Sequence, residues 1–113
     1  MALALNVFKT VTAIASTSSV GIYTAPVGYS GVVLLAQAAN TSGNSNSVTF
    51  AHKRTTTGIA VTTELLKDVP IQGNDSLNMV QGRLILQSQD SLILSASIAN
   101  NVKVTISILE TLN

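Results

Sequence analysis

The strongest constraint on the fold is an alternation of apolar and polar residues with a period of two. In residues 101–112, NVKVTISILETL, every second position between Val102 and Ile108 is Val or Ile, with Lys, Thr and Ser between them. Successive side chains of a strand point to opposite faces, so this pattern predicts a strand with one buried face. Residues 90–98, DSLILSASI, alternate in the same way. Residues 99–101 contain two Asn, which suit a tight turn, so the two strands are expected to pair as an antiparallel hairpin.

Short strand-like segments also fill the rest of the chain. Loops rich in Gly, Asn, Asp and Ser separate them, chiefly residues 41–47 and 72–76. No segment has an apolar stripe with a helical period, and residues 77–80 are expected to form a helical turn at most. Pro70 cannot donate a ladder hydrogen bond, so it is expected at a strand end or in an edge strand. The further predicted strands are residues 7–14, 21–24, 32–36, 47–54, 58–71 and 82–87.

These segments define the expected fold class. About eight short strands with turn signals between them predict an all-β protein. We expect a single antiparallel β-sandwich, jelly-roll-like domain over residues 1–113, in which residues 1–16 form an N-terminal arm or an edge strand. A chain of 113 residues is long enough to bury a core without disulfides, and it has no Cys with which to form them.

The composition excludes several kinds of partner. Charged residues make up 10% of the chain and the net charge is +1. The basic residues are scattered, so the basic patch that binds nucleic acid is lacking. No run of apolar residues approaches the length of a membrane-spanning helix. The start of the chain is apolar, but Lys9 falls inside that stretch, unlike a secretory signal. We therefore expect no nucleic-acid partner, no membrane association and synthesis in the cytoplasm.

Candidate chemical groups are few, and none forms a recognisable catalytic pattern. His52 is the only histidine, and no nucleophile or carboxylate stands at an informative spacing from it, so a structural or interface role is expected. Asp75 and Asp90 occur in turn-like sequences, where a short carboxylate caps backbone N–H groups. The Gly residues mark bends, and no phosphate-loop motif is present. We expect no enzymatic activity, no metal site and no cofactor.

Two segments are apolar on both faces of their predicted strands. In residues 32–36, VVLLA, strict alternation would place Val33 and Leu35 together on one face, with apolar neighbours on the other. Residues 7–14 show the same property. A second apolar face can be covered by loops of the same chain or by another copy. The low charge favours self-association, because few charges would be buried in the contact. The predicted interface contains Val7, Phe8, Val11, Val33 and Leu35.

Four longer stretches carry a resemblance to a known class of proteins. They are YTAPVGYSGVVLLAQAAN, VTFAHKR, TTELLKDVPIQGNDSLNMVQGRLILQSQDSLILSAS and VTISILET, which cover most of residues 23–112. Together they resemble small virion structural proteins of tailed bacteriophages, particularly phages of cyanobacteria. The resemblance lies in the overall pattern, and no functional residues carry over from it. It implies a β-rich accessory component of the particle.

The expected function is therefore that of a bacteriophage virion structural protein that acts by packing. The roles implied are capsid decoration or cement, or a neck or tail accessory component. The expected partners are further copies of the chain and other virion proteins, either the major capsid protein or neck and tail proteins. The expected location is the virion, after synthesis in the host cytoplasm. The alternative is a receptor- or carbohydrate-binding module of a tail fibre or baseplate, with a site near Tyr23, Tyr29 and residues 41–47.

Overall fold

The computed structural model describes residues 6–55 and 61–112, which form nine strands joined by turns and loops. No helix occurs in these residues. The prediction of an all-β antiparallel sandwich is confirmed, with nine described strands where about eight are expected. The strands are β1 (Asn6–Ile14), β2 (Val20–Thr24), β3 (Tyr29–Asn40), β4 (Asn46–Lys53), β5 (Thr62–Ile71), β6 (Ser76–Asn78), β7 (Leu84–Leu86), β8 (Ser91–Ala96) and β9 (Val102–Leu112).

The strands form two antiparallel sheets. Sheet 1 has the order β1-β9-β3, and the far edge of β3 pairs with β6 along one part and with β7 along another. Sheet 2 has the order β2-β8-β4-β5. In sheet 1, β1 pairs with β9 along its whole length and is an edge strand. The two strands that are apolar on both faces, β1 and β3, therefore belong to the same sheet.

The core lies between the two sheets. Alternate residues of β9 and β3 face alternate residues of β4 and β8, so the period-two pattern places one face of each strand inside. Burial of one large apolar side chain contributes about 1.5–3 kcal/mol. The large apolar side chains that are essentially buried are Val33, Val48, Phe50, Ile71, Met79, Leu86, Leu92, Leu94, Val102, Val104, Ile106 and Ile108.

The predicted pairing of β8 with β9 is wrong. β8 lies between β2 and β4 in sheet 2, whereas β9 lies between β1 and β3 in sheet 1. Residues 97–101 therefore cross from one sheet to the other, and Asn100 in this turn adopts a left-handed conformation with φ 73°. Both strands alternate because each buries one face. These faces belong to one core cluster and meet across the sandwich instead of lying side by side.

Two shorter segments refine the predicted elements. The helical turn expected in residues 77–80 is absent, because residues 76–78 are a strand that pairs with β3 and residues 79–80 are not helical. The strand expected over residues 58–71 is present from Thr62 onward, and residues 58–60 lie outside the described residues. Pro70 lies one residue before the end of β5, which is an edge strand, so the prediction for Pro70 is confirmed.

A bulge in β3 explains how its apolar run is accommodated. The pairing of β3 with β9 shifts by one residue between Val33 and Leu35, which leaves Leu34 as an extra residue. A bulge of this kind places two consecutive side chains on the same side of a strand. Leu34 and Leu35 are each 40% exposed, while Val33 and Ala36 are fully buried. The prediction that Val33 and Leu35 share a face is wrong because of this extra residue.

Two buried Asn side chains bind the backbone where loops leave the sandwich. The Asn46 amide donates to the Ile98 carbonyl oxygen (2.9 Å), and its Oδ1 accepts from Ile98 N (3.0 Å) and Ser97 Oγ (2.8 Å). The Asn40 amide donates to the Ile71 carbonyl oxygen (3.0 Å). Buried polar groups are costly unless they are paired, so these bonds stabilise one conformation of each loop.

The loop of residues 41–45 approaches the loop of residues 72–75 so closely that Gly73 has no room for a side chain. A Cβ atom on Gly73 would lie 2.4 Å from the carbonyl carbon and oxygen of Gly43. A Cβ atom on Gly43 would meet no atom within 4 Å. The requirement for Gly at position 73 is therefore steric.

Candidate self-association surface

The five residues of the predicted interface do not lie on one surface. Phe8 and Leu35 project from the outer face of sheet 1, with exposures of 76% and 40%. Val7 and Val11 are half-buried on the opposite, inward face of β1. Val33 is fully buried in the core and presents no surface, so its assignment to an interface is corrected.

An apolar row crosses the outer face of sheet 1. Phe8 of β1 lies directly opposite Leu109 of β9, Leu109 lies opposite Val32 of β3, and Val32 lies opposite Ile85 of β7. Directly opposed residues point to the same face, with Cβ atoms about 4.5–5.5 Å apart. Phe8 and Ile85 at the two ends are 76% and 62% exposed. We call these four residues the apolar row, and Leu34 lies next to it on β3.

Val32, Ile85 and Leu109 of the row are not in the predicted interface, but the sequence contains a signal for Ile85 and Leu109. Leu109 follows the alternating segment at the position where a polar residue is expected, after Lys103, Thr105 and Ser107. Ile85 is the middle residue of Leu84–Leu86, so it faces away from two inward neighbours. Each is an apolar residue on the outward side of its strand. Only the strand order shows that they align with Phe8.

The rest of this outer face is almost uncharged, and it includes the exposed apolar side chains of Ile14 and Leu35 as well as polar ones. Above and below the row it carries hydroxyl and amide side chains, such as Thr10 and Ser107, which pair with each other, and Gln37. Among the outward residues of the described strands of sheet 1, Lys103 alone is charged. Lys103 is six residues from Leu109 along β9, a distance of about 20 Å.

Sheet 2 differs from sheet 1 in charge. Lys53 on β4 and Glu64, Lys67 and Asp68 on β5 are all exposed. Asp68 also accepts a hydrogen bond from the Thr49 hydroxyl at 3.3 Å. Charged side chains are depleted at the centres of protein interfaces. By this criterion sheet 1, and not sheet 2, has the surface suited to burial.

A buried carboxylate on β9 contacts both β1 in sheet 1 and β2 in sheet 2. Glu110 is 3% exposed; its Oε1 lies 3.3 Å from Lys9 Nζ, and its Oε2 accepts a hydrogen bond of 2.5 Å from the Tyr23 hydroxyl. Burial, followed by the hydrogen bond and charge of Glu110, raises the pKa of Tyr23 well above its usual value. Tyr23 belongs to β2 of sheet 2, so the contact joins the two sheets at the side where β1 forms the edge.

Lys9 also affects the free edge of β1. It lies opposite Ile108, which is buried, so Lys9 points to the inner side of the sheet. An inward-pointing charge on an edge strand opposes the addition of a further strand, since the added strand would bury the charge. The outer face of sheet 1 is therefore better suited to a contact than its β1 edge.

His52 belongs to a second charged cluster at the surface of the core. His52 Nε2 lies 3.2 Å and Arg54 Nε 3.1 Å from Oδ2 of Asp90, which is fully buried. The same oxygen accepts a hydrogen bond from Gln87 N (3.1 Å), so the predicted turn role of Asp90 is confirmed. Arg54 also donates to the Gln87 side chain at 2.8 Å. The cluster fixes the turn before β8.

In residues 6–55 and 61–112, no group of three or more His, Asp or Glu side chains is arranged to hold a metal ion. None of these residues forms a helix long and apolar enough to cross a membrane. The Tyr23 hydroxyl, near which the alternative binding site is expected, donates its hydrogen bond to buried Glu110.

Comparison with known proteins gives structural matches only. No protein-family model matches the sequence, and no curated protein matches it significantly. A chain of the T13 particle of infectious bursal disease virus is 8% identical with a TM-score of 0.58, over 97% of this chain and 32% of the viral chain. The subviral particle of VP2 from the same virus gives 8% identity and a TM-score of 0.51, over 96% and 33%.

A third match is a pentameric capsid protein from metagenomic phage sequences, with 16% identity and a TM-score of 0.41 over 91% of this chain and 60% of that one. The chain spans about a third of the length of the two infectious bursal disease virus chains. At this level of identity the first two matches establish a shared fold. The β-sandwich of this protein is thus similar to part of a viral particle protein.

Proposed function

We propose that this protein is a structural component of a virus particle and acts by packing against copies of itself. The observation that carries the proposal is the apolar row, which lies at the surface of a nearly uncharged sheet face. Contiguous exposed apolar residues on a soluble domain commonly mark an interaction surface. The proposal includes no catalytic step.

The shared fold supports the same proposal. The two chains with TM-scores above 0.5 come from particles of an icosahedral virus, by their own descriptions. Fold alone does not determine function, so the proposal also rests on the apolar row. Here both point to a protein that works through permanent contacts and not through a concave ligand site.

In the more specific form of the proposal, the particle is a tailed bacteriophage. The protein then serves as a capsid decoration or cement protein, or as an accessory component of the neck or tail. Its partners, besides its own copies, are the major capsid protein or the neck and tail proteins. The resemblance of residues 23–112 to small phage virion proteins supports this form.

Immunogold electron microscopy tests the proposal. Antibodies raised against the purified protein are applied to virus particles isolated from a lysate of cells that carry the gene. Label over the head supports a decoration role, and label confined to the neck or tail supports the accessory role. Particles that contain the capsid protein but neither bind label nor contain this protein by mass spectrometry would contradict the proposal.

A further inference from the structure

We propose that the outer face of sheet 1 packs against the same face of a second copy, related by a two-fold axis that runs parallel to the strands. This inference rests on the proposed function, since it names the partner through which the protein would first assemble. The apolar row of one copy lies on the row of the other, in reverse order. Phe8 then contacts Ile85 of the second copy, and Leu109 lies over Val32.

The size of the face is sufficient for such a contact. Sheet 1 is four strand positions wide, and β1 and β9 are paired over nine residues. The fourth position holds only six residues, three of β6 and three of β7, so with strands about 4.8 Å apart and a rise of about 3.4 Å per residue the face covers about 540 Å² per copy. Two copies would bury about 1,100 Å², which clears the lower limit of about 1,000 Å² for a specific interface.

The area also determines the direction of the axis. The apolar row lies near one end of β9, with three residues beyond Leu109 and seven before it. An axis along the row would superimpose only the part of each sheet close to the row and would lose about half of the area. An axis parallel to the strands keeps the whole face in contact and still places row on row. It is therefore the arrangement that reaches the size a stable dimer needs.

The charge distribution is compatible with a second copy and makes a further prediction. Since Lys103 alone among the outward strand residues of sheet 1 is charged, two such faces meet without a charge in the centre. The axis brings the two Lys103 side chains to the same end of the dimer, at the solvent-exposed rim. Their mutual repulsion is screened by salt. Dimerisation is therefore expected to strengthen with increasing salt and in the Lys103→Gln variant.

Sedimentation velocity over a range of concentrations tests the contact. Phe8→Asp should raise the dimer dissociation constant at least about 100-fold, because the two-fold places the change in the interface twice. Val61→Asp is the matched control, since Val61 is 57% exposed but directly precedes β5, the edge strand of sheet 2. Circular dichroism and thermal melting verify that both variants fold. Equal behaviour of the two variants, or a protein that stays monomeric at every concentration, would overturn the inference.

Cysteine cross-linking tests the geometry, because the natural chain has no Cys. Phe8→Cys and Ile85→Cys proteins are prepared separately, mixed, and treated with a short bis-maleimide. The proposed axis predicts cross-links between a Phe8→Cys chain and an Ile85→Cys chain, because these two positions face each other across the interface. Few cross-links are expected in either variant alone, because the same position in the two copies is about 14 Å apart across the sheet. Dominant cross-links between two Phe8→Cys chains would instead indicate an axis along the row or pairing of β1 edges, and would refute the arrangement.

The outcome of these experiments is separate from that of the immunogold experiment. A dimer with the predicted cross-links but absent from virus particles would overturn the proposed function and leave the contact established. A monomer that is nevertheless found on particles would overturn the contact, and would show that another virion protein covers the apolar row.

Discussion

Replacement of Tyr23 by Phe tests the role of the buried carboxylate most directly. The substitution removes the hydroxyl that donates to Glu110 Oε2, while Lys9 still approaches Oε1. A hydrogen bond to a charged group contributes about 1.5–3 kcal/mol, and the upper half of this range applies because Glu110 is 3% exposed and cannot replace the lost donor easily with water. We expect Tyr23→Phe to lower the free energy of unfolding by about 2–3 kcal/mol at pH 7.

Urea denaturation measures this loss, and its pH dependence distinguishes the hydrogen bond from a packing effect. The pKa of Tyr23 is raised in the folded protein, whereas in the unfolded chain it is about 10. The unfolded state therefore releases the proton first, and the stabilisation by the hydroxyl is complete below about pH 10 and decreases above it. The stability difference between wild type and Tyr23→Phe should be constant from pH 7 to about 9 and should shrink by pH 11.

Lys9 also contacts Glu110, so the series is repeated with Lys9→Met in both proteins. If the difference between the Tyr and Phe proteins persists unchanged at pH 11 in this background, the hydroxyl does not act through its proton. A difference below about 0.5 kcal/mol at pH 7 would show that the hydrogen bond adds nothing to stability.

Substitutions at three other places in the structure test the fold. Gly73→Ala should destabilise by at least about 1–3 kcal/mol in thermal or urea unfolding, because its Cβ would overlap the backbone of Gly43, whereas Gly43→Ala should change stability by less than about 1 kcal/mol. Asn46→Ala should cost at least about 2 kcal/mol, since it leaves buried polar groups unpaired; a loss within error would refute the role of the amide. Val33→Asp should prevent folding, as judged by circular dichroism, while Leu35→Asp should fold; the reverse would contradict the bulge.

The sequence predicted the fold class because alternation is a local property. A strand that buries one face alternates whatever its neighbours are, so β4, β8 and β9 could be predicted from their own residues. The neighbours of a strand depend on residues far along the chain. For this reason the sequence predicts one hairpin for β8 and β9, which are adjacent in sequence and similar in pattern, although they belong to opposite sheets.

The candidate surface shows the same division between local and distant information. Phe8 and Leu35 could be recognised as outward apolar residues, but Val33 could not be separated from Leu35 without knowledge of the bulge at Leu34. A bulge is an extra residue in a pairing, and an uninterrupted apolar run contains no signal for its position. Ile85 became part of the surface only through the pairing of β7 with β3.

The position of β9 in sheet 1 has a consequence for biosynthesis. β9 lies between β1 and β3, so neither of these strands has its main partner until residues 102–112 leave the ribosome. Pairing of residues so distant in the chain is slow compared with local folding. The apolar row contains Leu109 and forms only when β9 is in place. Association through this row therefore requires that β9 has been synthesised and has paired with β1 and β3.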